Sequence, residues 1–306
     1  MNELQSLNEE LGKVFENQNI ASELKWVSVG IDIVHNKVSV DLEDCSESII
    51  VKFKSMVSNS SMIKFNEVAP IIFDSGYEKI QADSISSMTK RAVKTNVHLG
   101  SPYSSRGKDQ QGDPVRFVGS VGCRAMHGTE HGFVTAAHCL PKMGLSVCIG
   151  ETDTNLGKVT SVKLNASSDA AFVAVDYDKY YPTNTTYRTK TALYDKILKN
   201  SSLVGYEVST EGQKTANVVK AKVTEINKKV HVQKWTPAGQ ADFYANNMVY
   251  ATFTSSQTQE GDSGGIVYVN GYVAGIHSAR LGNTTQIFSS AELVLKDLGL
   301  TNIWEK

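Results

Sequence analysis

A serine lies between an acidic residue and two glycines in the GDSGG sequence of residues 261–265. Glycines let the backbone turn sharply and bring its N–H groups close to a bound molecule. A serine nucleophile needs such surroundings, because its hydroxyl must be accessible beside donors that stabilise a developing oxyanion. On its own the stretch is equally compatible with a plain turn, since Gly, Asp and Ser are common in loops.

Two further stretches supply the partners that such a serine requires. The sequence TAAHC at residues 135–139 places His138 directly after an apolar run, and Asp169 leads into a second apolar run. Serine is a poor nucleophile at neutral pH, so His138 would act as its base and Asp169 would orient the imidazole ring. Asp176 and Asp178 are alternative acids, although they follow the apolar run instead of leading into it. The order His, Asp, Ser is that of the chymotrypsin-type triad.

Taken together, these motifs resemble those of chymotrypsin-like serine proteases, and especially of the bacterial streptogrisin and alpha-lytic protease group. The sequence GFVTAAHC at 132–139 is very similar to that group's histidine motif, and the short spacing between the histidine and the aspartate is typical of the bacterial branch. The resemblance covers about residues 115–306. It implies a mainly β, double-barrel fold with the site between the barrels and a helix at the C-terminus. It also implies an oxyanion hole formed by the backbone N–H groups of Gly261 and Ser263.

The first part of the chain has the pattern of a small α+β domain. Apolar residues recur at helical spacing over 3–16 and alternate with polar residues over 26–42, as in a β-hairpin. Helical spacing returns after the serines at 46 and 48, and one or two short strands are predicted within 62–73. We therefore predict an α+β domain at 1–83.

The remaining chain divides by composition into a linker and a second domain. Residues 84–114 are polar and rich in Ser, Lys, Arg and Gly, which predicts a linker. From 115 to 306, short apolar segments alternate with turns, as in a β-barrel or sandwich, so this part is predicted to be the protease domain. Residues 31–38 are similar to a hairpin that recurs in pro-regions of the streptogrisin group. This similarity implies a pro-region that assists folding and inhibits until it is cleaved; the alternative is a permanent accessory domain.

Composition argues against several other classes of protein. The 306 residues carry a net charge of −1 and are 41% hydrophobic, so neither disorder nor nucleic-acid binding is indicated. No run of about 18 apolar residues predicts a membrane span, no CxxC spacing predicts a metal site, and no cofactor is expected. Residues 1–18 lack the basic start and apolar stretch of a signal peptide. The resemblance nevertheless implies an extracellular enzyme.

The four cysteines are Cys45, Cys123, Cys139 and Cys148. Cys123 and Cys139 flank the predicted histidine hairpin, and the group that the chain resembles usually bridges these two positions. The resemblance therefore implies a Cys123–Cys139 disulfide and an oxidising compartment. The alternative is a pair of reduced, buried thiols.

The residues around the expected substrate pocket resemble those of glutamyl endopeptidases. Those enzymes carry a histidine at the position of His277, after a similar Gly-Ile pair, and a hydroxyl residue at the position of Thr258. Both side chains can donate hydrogen bonds to a substrate carboxylate, and charge-assisted bonds are the stronger ones. Arg280, at the pocket edge, adds positive charge, and Ser278 lies in the same wall. We therefore expect cleavage after Glu, or less often after Asp.

Two further residues and one alternative interpretation bear on this specificity prediction. Gln257 stands where trypsin-like enzymes place an acid, so a basic substrate residue is not expected in the pocket. Glu260 lies close to the pocket mouth, where it would repel a second acid. The alternative interpretation is that His277 packs behind the pocket and Arg280 points to solvent.

The sequence as a whole predicts a secreted serine endopeptidase that is made as a two-domain precursor. Its partners would be protein or peptide substrates, together with its own N-terminal domain as an inhibitor or folding aid. One alternative is a catalytically silent binding protein on a protease fold, although such proteins usually lack a triad residue and this chain has all three. The other is an intracellular regulatory protease that is never processed.

Overall fold

The computed structural model describes residues 3–74, 76–79 and 94–300 of the chain. The α-helices in these residues are α1 (Glu3–Phe15), α2 (Gln18–Glu23), α3 (Glu47–Met56) and α4 (Ala291–Leu298). The strands, in chain order, are β1 (Trp26–Asp32), β2 (Lys37–Leu42), β3 (Ile63–Glu67), β4 (Ile71–Phe73), β5 (Gly76–Lys79), β6 (Thr95–Leu99), β7 (Pro102–Lys108), β8 (Pro114–Ser120), β9 (Arg124–His127), β10 (Glu130–Thr135), β11 (Ser146–Ile149), β12 (Asn155–Val162), β13 (Ala171–Val175), β14 (Tyr180–Thr186), β15 (Glu207–Glu211), β16 (Val219–Thr236), β17 (Gly239–Phe253), β18 (Ile266–Val269), β19 (Tyr272–Leu281) and β20 (Thr285–Ser290).

Two large sheets dominate the fold. One has the strand order β5-β8-β7-β11-β12-β13-β10-β9, and the other has the order β15-β18-β19-β20-β17-β16-β1-β2-β3, with β4 paired to β19. One apolar cluster joins them, with Phe133 and Val173 from the first sheet and Tyr250 and Ile287 from the second. The predicted mainly β fold, with a C-terminal helix and a small α+β region at the N-terminus, is therefore confirmed.

The N-terminal unit consists of helices packed on a β-hairpin. Strands β1 and β2 pair antiparallel, as the alternation of apolar residues predicts. Helix α1 packs its buried face on this hairpin, because its apolar residues recur every three or four positions: Leu4, Leu7, Leu11 and Phe15. The short helix α2 was not predicted. Its start is stabilised by the Asn17 side chain, which accepts hydrogen bonds from two backbone N–H groups.

The N-terminal unit continues one of the two large sheets. Strands β16 and β17 form a hairpin of 18 and 15 residues, and β1 pairs antiparallel with β16 beyond its midpoint. At this junction the fully buried Lys228 lies 2.6 Å from Asp41 of β2. It also donates to Ser39 at 2.9 Å, and it lies 3.2 Å from Glu225. A buried charge is tolerated only when it is paired in this way, so the junction depends on both partners.

Strand pairing begins before the predicted protease domain. Strands β6 and β7 both lie within 94–114, the described part of the segment that was expected to be a linker. Strand β7 pairs with β8 along its whole length. Apolar alternation does not predict this strand, because two of its buried side chains, Ser104 and Ser105, are polar. Residues 84–93 of the expected linker lie outside the described residues.

The disulfide expected from the resemblance is wrong, since all four cysteines are free. Cys123 packs in the apolar cluster that includes Val134 and Ile276. Cys139 lies in the other cluster, where its thiol meets the hydroxyl of Tyr103. The two thiols therefore face different parts of the core. Burial raises the pKa of the Cys123 thiol to about 12, so this cysteine behaves as an apolar core residue.

The described residues contain neither a membrane-spanning helix nor a cluster of metal-binding side chains. None of their helices has the length and apolar character needed to span a bilayer. Across 3–74, 76–79 and 94–300, no group of three or more His, Cys, Asp or Glu side chains is arranged to hold a metal ion.

Candidate active site

His138 and Asp169 reach each other because the strands beside them are paired. Strand β10 ends at Thr135 and β13 begins at Ala171, and these two residues lie opposite each other in an antiparallel pair. The chain after one strand and the chain before the other therefore emerge at the same edge. His138 Nδ1 lies 2.5 Å from Asp169 Oδ2, and the His138 backbone N–H donates to Asp169 Oδ1 at 2.9 Å. Both side chains are fully buried.

Ser263 reaches the same point from the loop that precedes β18. Its Oγ lies 2.9 Å from His138 Nε2 and 2.8 Å from the backbone carbonyl oxygen of Ser278. Asp169, His138 and Ser263 therefore form one hydrogen-bonded row. When His138 is neutral and donates its Nδ1–H to Asp169, its Nε2 is free to accept the serine proton.

The two buried ionisable groups of this row shift each other's pKa in opposite directions. Burial alone lowers the pKa of His138, but the negative charge and hydrogen bond of Asp169 outweigh it and raise that pKa above its ordinary range. Burial alone raises the pKa of Asp169, whereas the charge and hydrogen bonds of His138 lower it below its ordinary value. Asp169 is therefore an anion at neutral pH, and it stabilises an imidazolium on His138.

The loop that carries Ser263 is fixed by the buried carboxylate of Asp262. This carboxylate accepts hydrogen bonds from the backbone N–H groups of Lys214 at 2.8 Å, Thr215 at 3.1 Å and Gln259 at 2.8 Å. The Thr215 hydroxyl donates to it as well. Because these donors belong to the surrounding loops, they help to hold the backbone beside Ser263 in place.

Two backbone N–H groups of this loop converge on one oxygen atom. Gly261 and Ser263 donate to the backbone carbonyl oxygen of Asp74 at 2.5 and 3.1 Å. Gly261 has a φ of +108°, which residues with a side chain rarely adopt, so glycine is required to aim its N–H. Two preorganised donors at hydrogen-bond distance from a carbonyl oxygen have the geometry of an oxyanion hole. The Asp74 carbonyl oxygen therefore lies where these two donors converge.

The Asp74 side chain fills the pocket beside Ser263. Its carboxylate accepts hydrogen bonds from Thr258 Oγ1 at 2.7 Å, His277 Nε2 at 3.0 Å and Arg280 Nε at 2.9 Å. The Asp74 and His277 side chains are fully buried, and the Arg280 side chain is 15% exposed. The pocket thus supplies three donors and a positive charge to a single carboxylate.

The pocket keeps Asp74 ionised. Burial alone raises the pKa of Asp74, but the hydrogen bonds of His277 and Thr258 and the charge of Arg280 together lower it below the ordinary value of 3.8. A lowered pKa means that the carboxylate form of Asp74 is favoured when its side chain lies in the pocket. The ionised side chain therefore stabilises the bound segment above pH 3.8, and this stabilisation is lost as the pH falls through the lowered pKa.

Gln286 and Thr210 hold the far side of the His277 ring. The Gln286 amide nitrogen lies 3.2 Å from His277 Nδ1 and 2.7 Å from Thr210 Oγ1. An amide N–H only donates, so in the neutral ring Nδ1 accepts and the proton is on Nε2, facing Asp74. All three side chains are buried.

The other residues predicted for the pocket have different surroundings. Ser278 contributes its backbone carbonyl to Ser263. The side-chain oxygen of Gln257 is buried and has no hydrogen-bond partner among the described residues. Glu260 is 64% exposed and lies 4.0 Å from Lys234, so it pairs loosely with a positive charge outside the pocket.

Sequence reasoning missed Asp74 and Gln286. The available signal for Asp74 was an acidic residue near the end of the predicted N-terminal domain, in a chain whose pocket was predicted to bind an acid. Gln286 had no such signal, because only the pairing of β19 with β20 brings it beside His277.

Two family matches cover most of the chain. Residues 100–290, more than half of the chain, match the trypsin family, and residues 2–68 match a family described as a Pro-like C-terminal domain. No curated protein shows a significant sequence match.

Solved structures share the fold. Protease A of Thermobifida fusca is 18% identical with a TM-score of 0.51, and the match covers 69% of this chain and 100% of that one. A glutamic acid specific serine protease, described as using a novel histidine triad in substrate binding, is 21% identical with a TM-score of 0.50; the match covers 68% of this chain and 100% of that one. At these identities the likeness establishes the fold alone.

Proposed function

We propose that this serine peptidase, which belongs to the trypsin family, is an endopeptidase that cleaves after aspartate and, more slowly, after glutamate. Ser263 is the nucleophile, His138 is its base, and Asp169 orients and stabilises His138. The hydrogen-bonded row of these three side chains supports the assignment.

The reaction proceeds through an acyl-enzyme. Ser263 Oγ attacks the substrate carbonyl carbon while its proton passes to His138 Nε2, and the N–H groups of Gly261 and Ser263 stabilise the charge that develops on the carbonyl oxygen. His138 then protonates the departing amine. In the second half of the reaction a water molecule, activated by His138, attacks the acyl-enzyme in the same way and releases the product with its new carboxylate. Asp169 stabilises the imidazolium in both halves.

One observation carries the proposed specificity. A single residue, Asp74, has its carbonyl oxygen on the two N–H donors and its carboxylate on Thr258, His277 and Arg280 at the same time. A substrate residue on the acyl side of the cleaved bond (P1) must satisfy both conditions together. The pocket residues expected from the resemblance thus bind an acid, and this supports the interpretation in which His277 contacts the substrate.

The length of the side chain favours aspartate over glutamate. The three donors already lie 2.7–3.0 Å from the short Asp74 carboxylate, and the pocket around it is buried. Glutamate would have to fit one more methylene, a difference worth about 1–3 kcal/mol in a closed pocket. This order is the reverse of the one that the resemblance to glutamyl endopeptidases implies.

The similarity to a glutamic acid specific protease with a histidine triad also supports an acidic specificity. In this chain, one histidine, His277, contacts the bound carboxylate among the described residues. Gln286 and Thr210 stand behind it, so the proton on His277 Nε2 is maintained by an amide. Acid binding here thus depends on Thr258, on Arg280 and on one histidine that a neutral amide orients.

We also propose that the protein is made as a precursor whose N-terminal domain acts as an inhibitor or folding aid. The match of residues 2–68 to a Pro-like C-terminal domain supports this. Action outside the cell is part of the proposal and rests on the resemblance to the streptogrisin group.

A peptide library varied at P1 tests the proposed function. Wild-type protein, separated from any N-terminal fragment that is released, should hydrolyse peptides with P1 Asp first, Glu second and Leu or Phe more slowly. His277→Ala should abolish the preference for acids, and His127→Ala, at a partly exposed histidine outside the site, should leave it unchanged. A preference for Leu or Phe that His277→Ala does not alter would contradict the assignment.

A further inference from the structure

The segment that leaves the N-terminal unit is bound as an extended strand beside the substrate pocket. Strand β4 pairs antiparallel with β19, so that Phe73 lies opposite Ala279. An extended peptide that adds a strand to a sheet is a common mode of peptide binding, because its backbone supplies the hydrogen bonds. The Phe73 ring also lies 5.1 Å from the His138 ring. The residues before Asp74 are therefore held in register with the triad.

The same segment continues on the other side of the triad. Strand β5, which begins at Gly76, pairs antiparallel with β8 and places Gly76 opposite Val118. The chain is thus held both before and after the peptide bond that follows Asp74. Between these two places, the Asp74 carbonyl oxygen accepts the N–H groups of Gly261 and Ser263.

We propose that Ser263 cleaves the Asp74–Ser75 bond of its own chain. This inference rests on the proposed function and adds a substrate to it: the junction between the N-terminal unit and the protease domain. It also moves the boundary between the two from the predicted position near residue 83 to residue 74.

The reaction needs only water and the groups of the site. Ser263 Oγ bonds to the carbonyl carbon of Asp74 while its proton moves to His138 Nε2. The C–N bond to Ser75 breaks, and the Ser75 amine takes the proton from His138. Water then attacks the ester and gives a proton to His138, the ester bond breaks, and the Ser263 hydroxyl regains its proton. The products are an N-terminal fragment that ends in a new carboxylate and a C-terminal fragment with a free amine.

The attachment of the N-terminal unit favours cleavage within one molecule. Strand β1 pairs with β16 of the protease domain, and the Lys228–Asp41 ion pair is buried at the same junction. Residues 68–70 are all that separates β3 from β4. The segment is thereby presented to Ser263 at an effective concentration that a second molecule in dilute solution does not reach.

The contacts that Asp74 makes in the site are retained after cleavage. The new carboxylate of Asp74 retains an oxygen on the two N–H donors, and the Asp74 side chain retains Thr258, His277 and Arg280. The N-terminal fragment is then a bound product that occupies the active site. Self-cleavage and inhibition by the N-terminal unit are therefore successive consequences of one arrangement.

Intact-mass measurement and N-terminal sequencing of the purified full-length chain test the inference. Wild type should convert to fragments 1–74 and 75–306, and Ser263→Ala should stay intact. Asp74→Asn should be cleaved at least about 100-fold more slowly, because an amide cannot neutralise Arg280 and forms weaker hydrogen bonds. Asp44→Asn is the matched control, since Asp44 is a partly exposed aspartate of the same unit; it should be cleaved at the wild-type rate. The rate constant should not change over about a tenfold range of protein concentration.

Three results would overturn the inference: cleavage at a bond other than Asp74–Ser75, equal cleavage in Ser263→Ala, or a wild-type chain that stays intact. A rate that rises with protein concentration would refute cleavage within one molecule. The P1 library separates this inference from the proposed function. An intact wild-type chain overturns this inference alone, because its own Asp74 then still fills the pocket; hydrolysis of free peptides after Asp by that chain leaves the proposed function standing.

Discussion

The substitution Thr258→Val probes the acid pocket with the least change of shape. Thr258 is 1% exposed, and its Oγ1 donates to the Asp74 carboxylate at 2.7 Å. Valine has nearly the same volume but no hydroxyl, so the substitution removes this hydrogen bond with little change in packing. Loss of one hydrogen bond to a buried carboxylate costs about 2 kcal/mol. This corresponds to about a 30-fold fall in kcat/KM for a substrate that carries the carboxylate.

The assay compares two peptides that differ only at P1, one with Asp and one with Leu. It uses cleaved enzyme that has been separated from its N-terminal fragment. For Thr258→Val, kcat/KM should fall about 30-fold with Asp and should not fall with Leu, because leucine accepts no hydrogen bond from Thr258. Thr258→Ser is the control, because it keeps the hydroxyl, and it should retain most of the selectivity for Asp.

Two outcomes would refute the reasoning about Thr258. An equal fall for Asp and Leu would mean that the hydroxyl maintains the structure of the site and does not bind the substrate carboxylate. An unchanged ratio of the two kcat/KM values would mean that the acid of a free substrate does not reach Thr258.

Three other predictions concern the triad, the Asp74 carboxylate and the buried Lys228–Asp41 ion pair. Ser263→Ala and His138→Ala should each lower peptide hydrolysis by several orders of magnitude, because the triad acts as a unit; near-normal kcat in Ser263→Ala would require another nucleophile. In full-length Ser263→Ala, hydrogen exchange at the Gly261 N–H, corrected for the intrinsic rate, should accelerate as the pH falls from 3.8 through the lowered pKa of Asp74. Asp74→Asn should remove this pH dependence. If the pH dependence persisted in Asp74→Asn, another group would be its cause. Lys228→Met should destabilise the Ser263→Ala chain by about 3–5 kcal/mol, because it leaves the buried Asp41 without its main partner; thermal unfolding measures this, and an unchanged Tm would show that the ion pair stabilises nothing.

The sequence was most informative where chemistry is local. The residues around His138 and Ser263 are short contiguous motifs, since an oxyanion hole and a catalytic histidine each need specific immediate neighbours. Apolar periodicity likewise predicted the hairpin of β1 and β2 and the helix α1, because each buries one face of a regular element. These features depend on residues that are close together in the chain.

Features that depend on distant pairing were not predictable in the same way. Asp74 lies 203 residues from His277, and only the pairing of β4 with β19 brings them together. The disulfide prediction transferred a pairing from the resemblance, but Cys123 and Cys139 pack in different clusters. The linker prediction relied on polar composition, and β7 shows that buried serines can form a strand inside a sheet.

Labelling by an aspartyl phosphonate ester tests the central claim most directly, because the reagent needs both a serine nucleophile and an acid pocket. Cleaved wild-type protein, separated from its N-terminal fragment, should be modified at Ser263, and faster by the aspartyl reagent than by the leucyl reagent of the same structure. Ser263→Ala should remain unmodified. Modification at another residue, or faster labelling by the leucyl reagent, would contradict the assignment of Ser263 as the nucleophile of an acid-specific endopeptidase.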